Sequence, residues 1–173
     1  MSTGGRHRLL VHLAANAHAD GWRHILAPFD VNGSPVVSLH LAVLVEPYLR
    51  FLLDGQKTVE SRFSVRSMPP YRCVETGDIV LVKESGGPVV GAFRAAGVWY
   101  YRLDPTSWCD VRREFEVALC AQGRFWEERS AASFATLVRV TDVHRLPPIA
   151  VPKRDRRGWV VLANRHREDL LLP

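Results

Sequence analysis

The chain has 173 residues, of which 47% are hydrophobic, the size and composition of one globular domain able to build a core. Its 23 Lys+Arg against 18 Asp+Glu leave a net charge of +5, a balance that favours polyanionic partners such as RNA, DNA or nucleotides. No apolar run approaches the roughly 18–20 residues that would cross a bilayer, so no membrane partner is expected. Cys73, Cys109 and Cys120 are odd in number and form no C-x-x-C pair, which argues against a disulfide framework or a zinc site.

In chain order, the spacing from Leu9 to about Leu26 predicts a helix with a break at Gly21. His12 and Asn16 interrupt its apolar run, so it does not read as a secretory leader, and the chain is expected in the cytoplasm. His7, His12, His18 and His24 fall five or six apart, off the spacing of a helical metal pair, so no metal and no cofactor are expected. Asp30 to Pro35 reads as a linker, and Val36–Val43 as the first strand. Glu46-Pro47 predicts a short helix with proline at its first position, buried through Leu49, Leu52 and Leu53 and ended by a left-handed Gly55.

A strand is then predicted over Thr58–Phe63, a turn at Thr76-Gly77-Asp78 and a buried strand at Ile79–Val82. Ser85–Pro88 reads as a hairpin into Val89–Phe93, with Gly97–Tyr100 continuing or bending that strand. A helix is expected over Trp108–Cys120 and a strand over Phe134–Val143, broken by Pro147-Pro148; Gly158–Leu162 closes the sheet. Many short strands with few helices indicate an α+β fold, a small mixed β-barrel with two to four flanking helices. The expected division is a helical extension and linker over 1–35, the barrel over 36–165 and a tail over 166–173.

The densest chemistry lies in Gly55-Gln56-Lys57-Thr58-Val59-Glu60-Ser61-Arg62. On an alternating strand Thr58, Glu60 and Arg62 share one face while Val59 enters the core, and Lys57 follows the helix cap directly. Lys and Arg suit a phosphate, and Glu accepts from an exocyclic amine; a purely structural Glu60–Arg62 ion pair would use the same residues.

That segment, with the Glu46-Pro47 helix before it and Thr76-Gly77-Asp78 after it, resembles the G-x-K-x-x-E-x-R signature of the ASCH family, whose fold is PUA-like. The resemblance runs from about Val36 to Leu162. It implies a barrel with a cleft between barrel and helices for RNA or other nucleic acid; the expected partner is RNA, another single-stranded nucleic acid or a modified nucleotide, and no obligate protein partner is expected. Some members are amidohydrolases acting on N4-acetylcytidine. They use a lysine at the position of Lys57, a threonine nucleophile three residues later and a further glutamate. Here the lysine matches, Glu60 stands at the nucleophile position, and Thr58 is the nearby hydroxyl. Other members are described as ribonucleases. Glu60 departs from the amidohydrolase pattern, so if this chain is an enzyme the expectation is a hydrolase in which Glu60 activates water as a general base and Lys57 stabilises an oxyanion.

Other side chains could complete such a site. Trp99 and Tyr101 are expected to fill the barrel, while Tyr100 could receive a stacked base. Trp126 could flank the cleft or pack on the sheet, and Glu127 or Glu128 could supply a second acid. Lys153-Arg154-Asp155-Arg156-Arg157 could hold several phosphates, and Arg66 and Arg72 extend the positive charge beyond Arg62.

Overall fold

The computed structural model describes residues 3–29, 36–151 and 157–165, with the side chains of 3–7 and of Asp20 excepted. The predicted linker at 30–35 and the tail at 166–173 lie outside the described residues. Helices α1 (Thr3–Asn16) and α2 (Asp20–Leu26) are followed by β1 (Leu39–Leu44), α3 (Tyr48–Leu53), β2 (Val59–Ser64) and β3 (Ile79–Glu84). Strand β4 (Val89–Arg102), helix α4 (Pro105–Phe115), a 3-10 turn at Glu127–Arg129, β5 (Phe134–Ile149) and β6 (Trp159–Ala163) complete the order.

One six-stranded mixed sheet runs β2-β5-β4-β3-β1-β6 and curls into a half-barrel, the expected α+β architecture. β1 and β3 pair in parallel and every other neighbouring pair is antiparallel. The period of two sends Leu39, Leu41, Ile79 and Leu81 to one face, where they pack with Leu9, Leu13, Trp22, Ile25 and Phe29 of the N-terminal segment. Ala42, Leu44, Val80 and Val82 face the other way, onto Leu49 and Leu52 of α3 and Trp159 of β6. A third, aromatic-rich cluster joins α4 to β2 and β5 through Phe115, Phe125, Trp126, Val59 and Leu137. Among the described residues, no helix is long and apolar enough to cross a membrane.

Several boundaries differ from the sequence expectation for identifiable reasons. The N-terminal helix breaks at 17–19, not at Gly21, which lies inside α2. A Cβ there would sit 3.1 Å from Leu146 Cδ2, so this glycine permits the helix to press against β5. β1 starts three residues later than Val36, where its ladder with β3 begins at Leu39↔Ile79. Pro47 caps α3 instead of opening it, after a cis Glu46–Pro47 bond, while Gly55 takes the expected positive φ of 75°.

Helix α4 begins at Pro105, before Trp108, because Asp104 accepts from the Ser107 amide and Ser107 Oγ accepts in return from the Asp104 amide. β5 runs through Pro147 and Pro148, contrary to the expected break. β2 pairs with 134–139 of β5, and past Val140, whose amide donates to Thr58 O, that edge of β5 has no strand partner among the described residues; the β4 register slips between Val89 and Gly91. Two missing N–H groups cost little there. Trp22 Nε1 donates to the Pro147 carbonyl at 2.8 Å instead.

Candidate functional site

The turn at Gly55 and the start of β2 fix the signature segment by backbone bonds. Lys57 N donates to Phe51 O at 2.9 Å, and the amides of Thr58 and Val59 both donate to Ala118 O beyond α4. Lys57 is thereby turned inward and only 2% exposed, while Thr58 faces solvent outside the cluster. Val59 and Glu60 are both buried, although they point to opposite faces, because β2 is covered on both sides. Simple alternation does not describe this strand.

The three charges form a chain. Lys57 Nζ lies 3.3 Å from Glu60 Oε2 and donates to the Val59 carbonyl; Arg62 Nη2 lies 2.9 Å from Glu60 Oε1. Arg62 Nη2 also donates to Val43 O of β1 at 3.0 Å, and its guanidinium lies over the Trp159 ring. Burial pushes the Lys57 ammonium below its ordinary pKa of 10.5, opposed by the attraction of Glu60. A Cβ on Gly158 would fall 2.9 Å from Arg62 Nη1, so that position leaves room for the guanidinium.

Beside this chain lies an open cavity of about 310 Å³. Arg62, Phe63 and Ser64 of β2 form one wall and Met68, Pro69 and Pro70 another; Thr136, Arg157, Gly158 and Trp159 complete it. The cavity therefore sees Arg62 at the end of the chain, whereas Lys57 and Glu60 stand behind it. Arg66 is exposed on the 65–68 segment that borders the cavity, and its carbonyl accepts from Ser64 Oγ. Of the basic run, Arg157 is described; Lys153, Arg154 and Arg156 lie outside the described residues.

The remaining candidates are placed elsewhere. Tyr100 donates its hydroxyl to the Val74 carbonyl and is half-buried, which pushes its phenol up to about 12. Trp126 is buried among Phe63, Trp108 and Phe125, and its indole N–H donates to Glu116 at 3.0 Å, so it packs the aromatic cluster and does not flank the cleft. Glu127 and Glu128 are exposed and pair with Arg124 and Arg129. Arg72 is exposed at a positive φ of 55° beside Tyr71. Trp99 packs against Phe115 and under Arg139.

Sequence reasoning missed a buried polar cluster on the same side of the sheet. His40 and Asp78 are both fully buried, with His40 Nε2 3.1 Å from Asp78 Oδ2. Burial disfavours the Asp78 charge, but bonds from His40, Arg165, Glu75 N and Ser38 N outweigh it and hold the carboxyl below its ordinary 3.8. Trp159 Nε1 donates to His40 Nδ1 at 3.2 Å. No short motif could have disclosed the pairing, since His40 and Trp159 are 119 residues apart.

No family model matches the chain, and no curated protein matches it in sequence. Solved structures do match it. The crystal structure of ASCH from Zymomonas mobilis superposes with a TM-score of 0.53 at 14% identity, over 64% of this chain and 72% of that one. A tyrosine-to-phenylalanine variant of the same protein gives 0.52 at 13% identity, over 64% and 74%. At such identity the likeness is one of architecture, and it agrees with the signature around Lys57. This chain has the fold of an ASCH domain.

Proposed function

We propose that the cavity beside Arg62 binds a nucleotide unit of single-stranded RNA, or a modified nucleotide, and that the protein acts as a binding module. The observation that carries this reading is the pairing of the Arg62 guanidinium with the Trp159 indole on the wall of an open cavity of about 310 Å³. Bases splayed out of a single strand stack on guanidinium planes as well as on aromatic rings, and with Trp159 only 3% exposed it is the Arg62 guanidinium that a base would meet. Arg157, at the end of the basic run, lines the same cavity, which supports a phosphate contact there. The net charge of +5 adds long-range attraction for a polyanion.

A hydrolytic role for Lys57 and Glu60 has less support. Each oxygen of Glu60 is within ion-pair distance of a cation, and neither Lys57 nor Glu60 lines the cavity. A general base needs a free oxygen within reach of the proton it takes.

The test is fluorescence anisotropy with labelled single-stranded RNA and DNA at rising salt. Binding should weaken as salt rises, with a log–log slope of about −0.7 per phosphate neutralised. Arg62→Ala should weaken it at least about tenfold, equivalent to ~1.4 kcal/mol. Absence of binding at low salt to RNA, DNA and free nucleotides alike overturns the reading. Release of acetate from an acylated nucleoside, or cleavage of RNA, lost in Glu60→Gln, would establish the hydrolase instead.

A further inference from the structure

We propose that His40 and Asp78 are positioning residues for this cavity: through the indole N–H of Trp159 they fix the ring on which Arg62 lies, and so the guanidinium that an incoming base would meet. The inference rests on the reading of the cavity as a base-binding site, and neither residue lines the cavity itself.

The chemistry of the groups fixes their roles. An indole N–H only donates, so His40 Nδ1, 3.2 Å away, is the acceptor. The proton of the neutral imidazole therefore sits on Nε2 and is donated to Asp78 Oδ2 at 3.1 Å. Asp78 has no freedom to follow another arrangement. Its Oδ1 accepts from Ser38 N at 2.7 Å and from Arg165 Nη2, and its Oδ2 accepts from Glu75 N at 2.7 Å. The carboxylate thus selects one tautomer and one ring orientation of His40, as an acid partner does for an imidazole in general.

The consequence reaches the cavity. Trp159 is 3% exposed, and turning its ring would leave a buried donor without a partner. Arg62 is also held by Glu60 and Val43 O, and its buried Nε has no hydrogen-bond partner among the described residues. Two buried arms thus converge on one wall: Lys57 and Glu60 set the guanidinium, and Asp78 and His40 set the indole. A pre-set wall binds without first paying to order itself.

The test compares His40→Phe, which keeps a ring but deletes the acceptor, with His40→Gln, whose amide supplies one donor and one acceptor. Binding of a short fluorescein-labelled single-stranded RNA is measured alongside the NMR signals of the Trp159 indole N–H and the Arg62 Nε–H. His40→Phe, with its fold checked by circular dichroism, should weaken binding about tenfold and move both signals, and His40→Gln should restore most of each. In a Trp159→Phe background the same change at His40 should alter binding less than about twofold, because the coupled partner is gone. Unmoved signals in His40→Phe, or an equal loss of binding in both backgrounds, overturn the proposal. If the wild-type protein binds no RNA, the binding reading falls while the two signals still decide the positioning. If His40→Phe does not fold, the wild-type spectrum decides: a Trp159 indole signal in fast exchange with water overturns it, and a protected one supports it.

Discussion

Arg62 and Trp159 belong to β2 and β6, the two ends of the sheet, yet the guanidinium lies 5.4 Å from the indole centroid. They meet because the sheet curls, and the contact marks where the half-barrel comes nearest to closing. Arg62 also donates to Val43 O of β1, so one side chain spans the gap between the two ends. The cavity sits at that gap, which is why its walls come from β2, β5 and β6 together.

Gly158→Ala tests the position of the guanidinium without touching its charge. The added methyl would lie 2.9 Å from Arg62 Nη1. The expected outcome is a several-fold loss of RNA affinity with a stability change within about 1 kcal/mol, since the backbone there is exposed. Titration and urea unfolding of the same sample check both parts, and unchanged affinity would mean that the placement of Arg62 is irrelevant.

Gly91→Ala should behave differently. Its Cβ would lie 2.7 Å from the His144 carbonyl oxygen and 2.7 Å from Leu53 Cδ2. The carbonyl belongs to β5 and cannot retreat without disturbing the β4–β5 ladder. A loss of about 1–3 kcal/mol is expected, the usual cost of overpacking a core, read from the shift of the urea midpoint.

The Lys57–Glu60–Arg62 chain predicts an order of effects. Glu60→Ala strands a buried ammonium and should cost about 3–5 kcal/mol. Lys57→Met leaves Glu60 still paired with Arg62 and should cost less, about 1–3 kcal/mol. Burial holds the folded-state pKa of Lys57 below 10.5, so between that lowered value and 10.5 the unfolded chain binds more protons. Stability from this group therefore rises with pH across that window and is lost as pH falls through the folded value. Unfolding curves through the alkaline range should show the slope in the wild type and lack it in Lys57→Met.

Tyr100 gives the opposite sign. Burial raises its phenol from 10.0 to about 12, so the folded state keeps the proton longer. Its contribution is whole below pH 10 and lost as the pH climbs through about 12. An ultraviolet titration should show a late phenolate step near that value in the wild type, and the step should be missing in Tyr100→Phe.

The sequence alone established what depends on neighbours along the chain. The Gly55 cap follows from a φ that glycine adopts freely, and the barrel strands follow from runs of β-branched residues between turn formers. The signature from Gly55 to Arg62 was legible because helix, cap and strand are contiguous. Tertiary structure decided the rest. Whether β5 could run through Pro147 and Pro148 depended on where β2 stops pairing, and whether Trp126 met the cavity depended on how α4 and the 3-10 turn pack. Lys57 was placed behind the cavity, and Arg62 on it, by a curl that brings strands far apart in sequence to one gap. Asp78, His40 and Trp159 met for the same reason: hydrogen bonds across a sheet join residues through its register, and register is a property of the assembled strands.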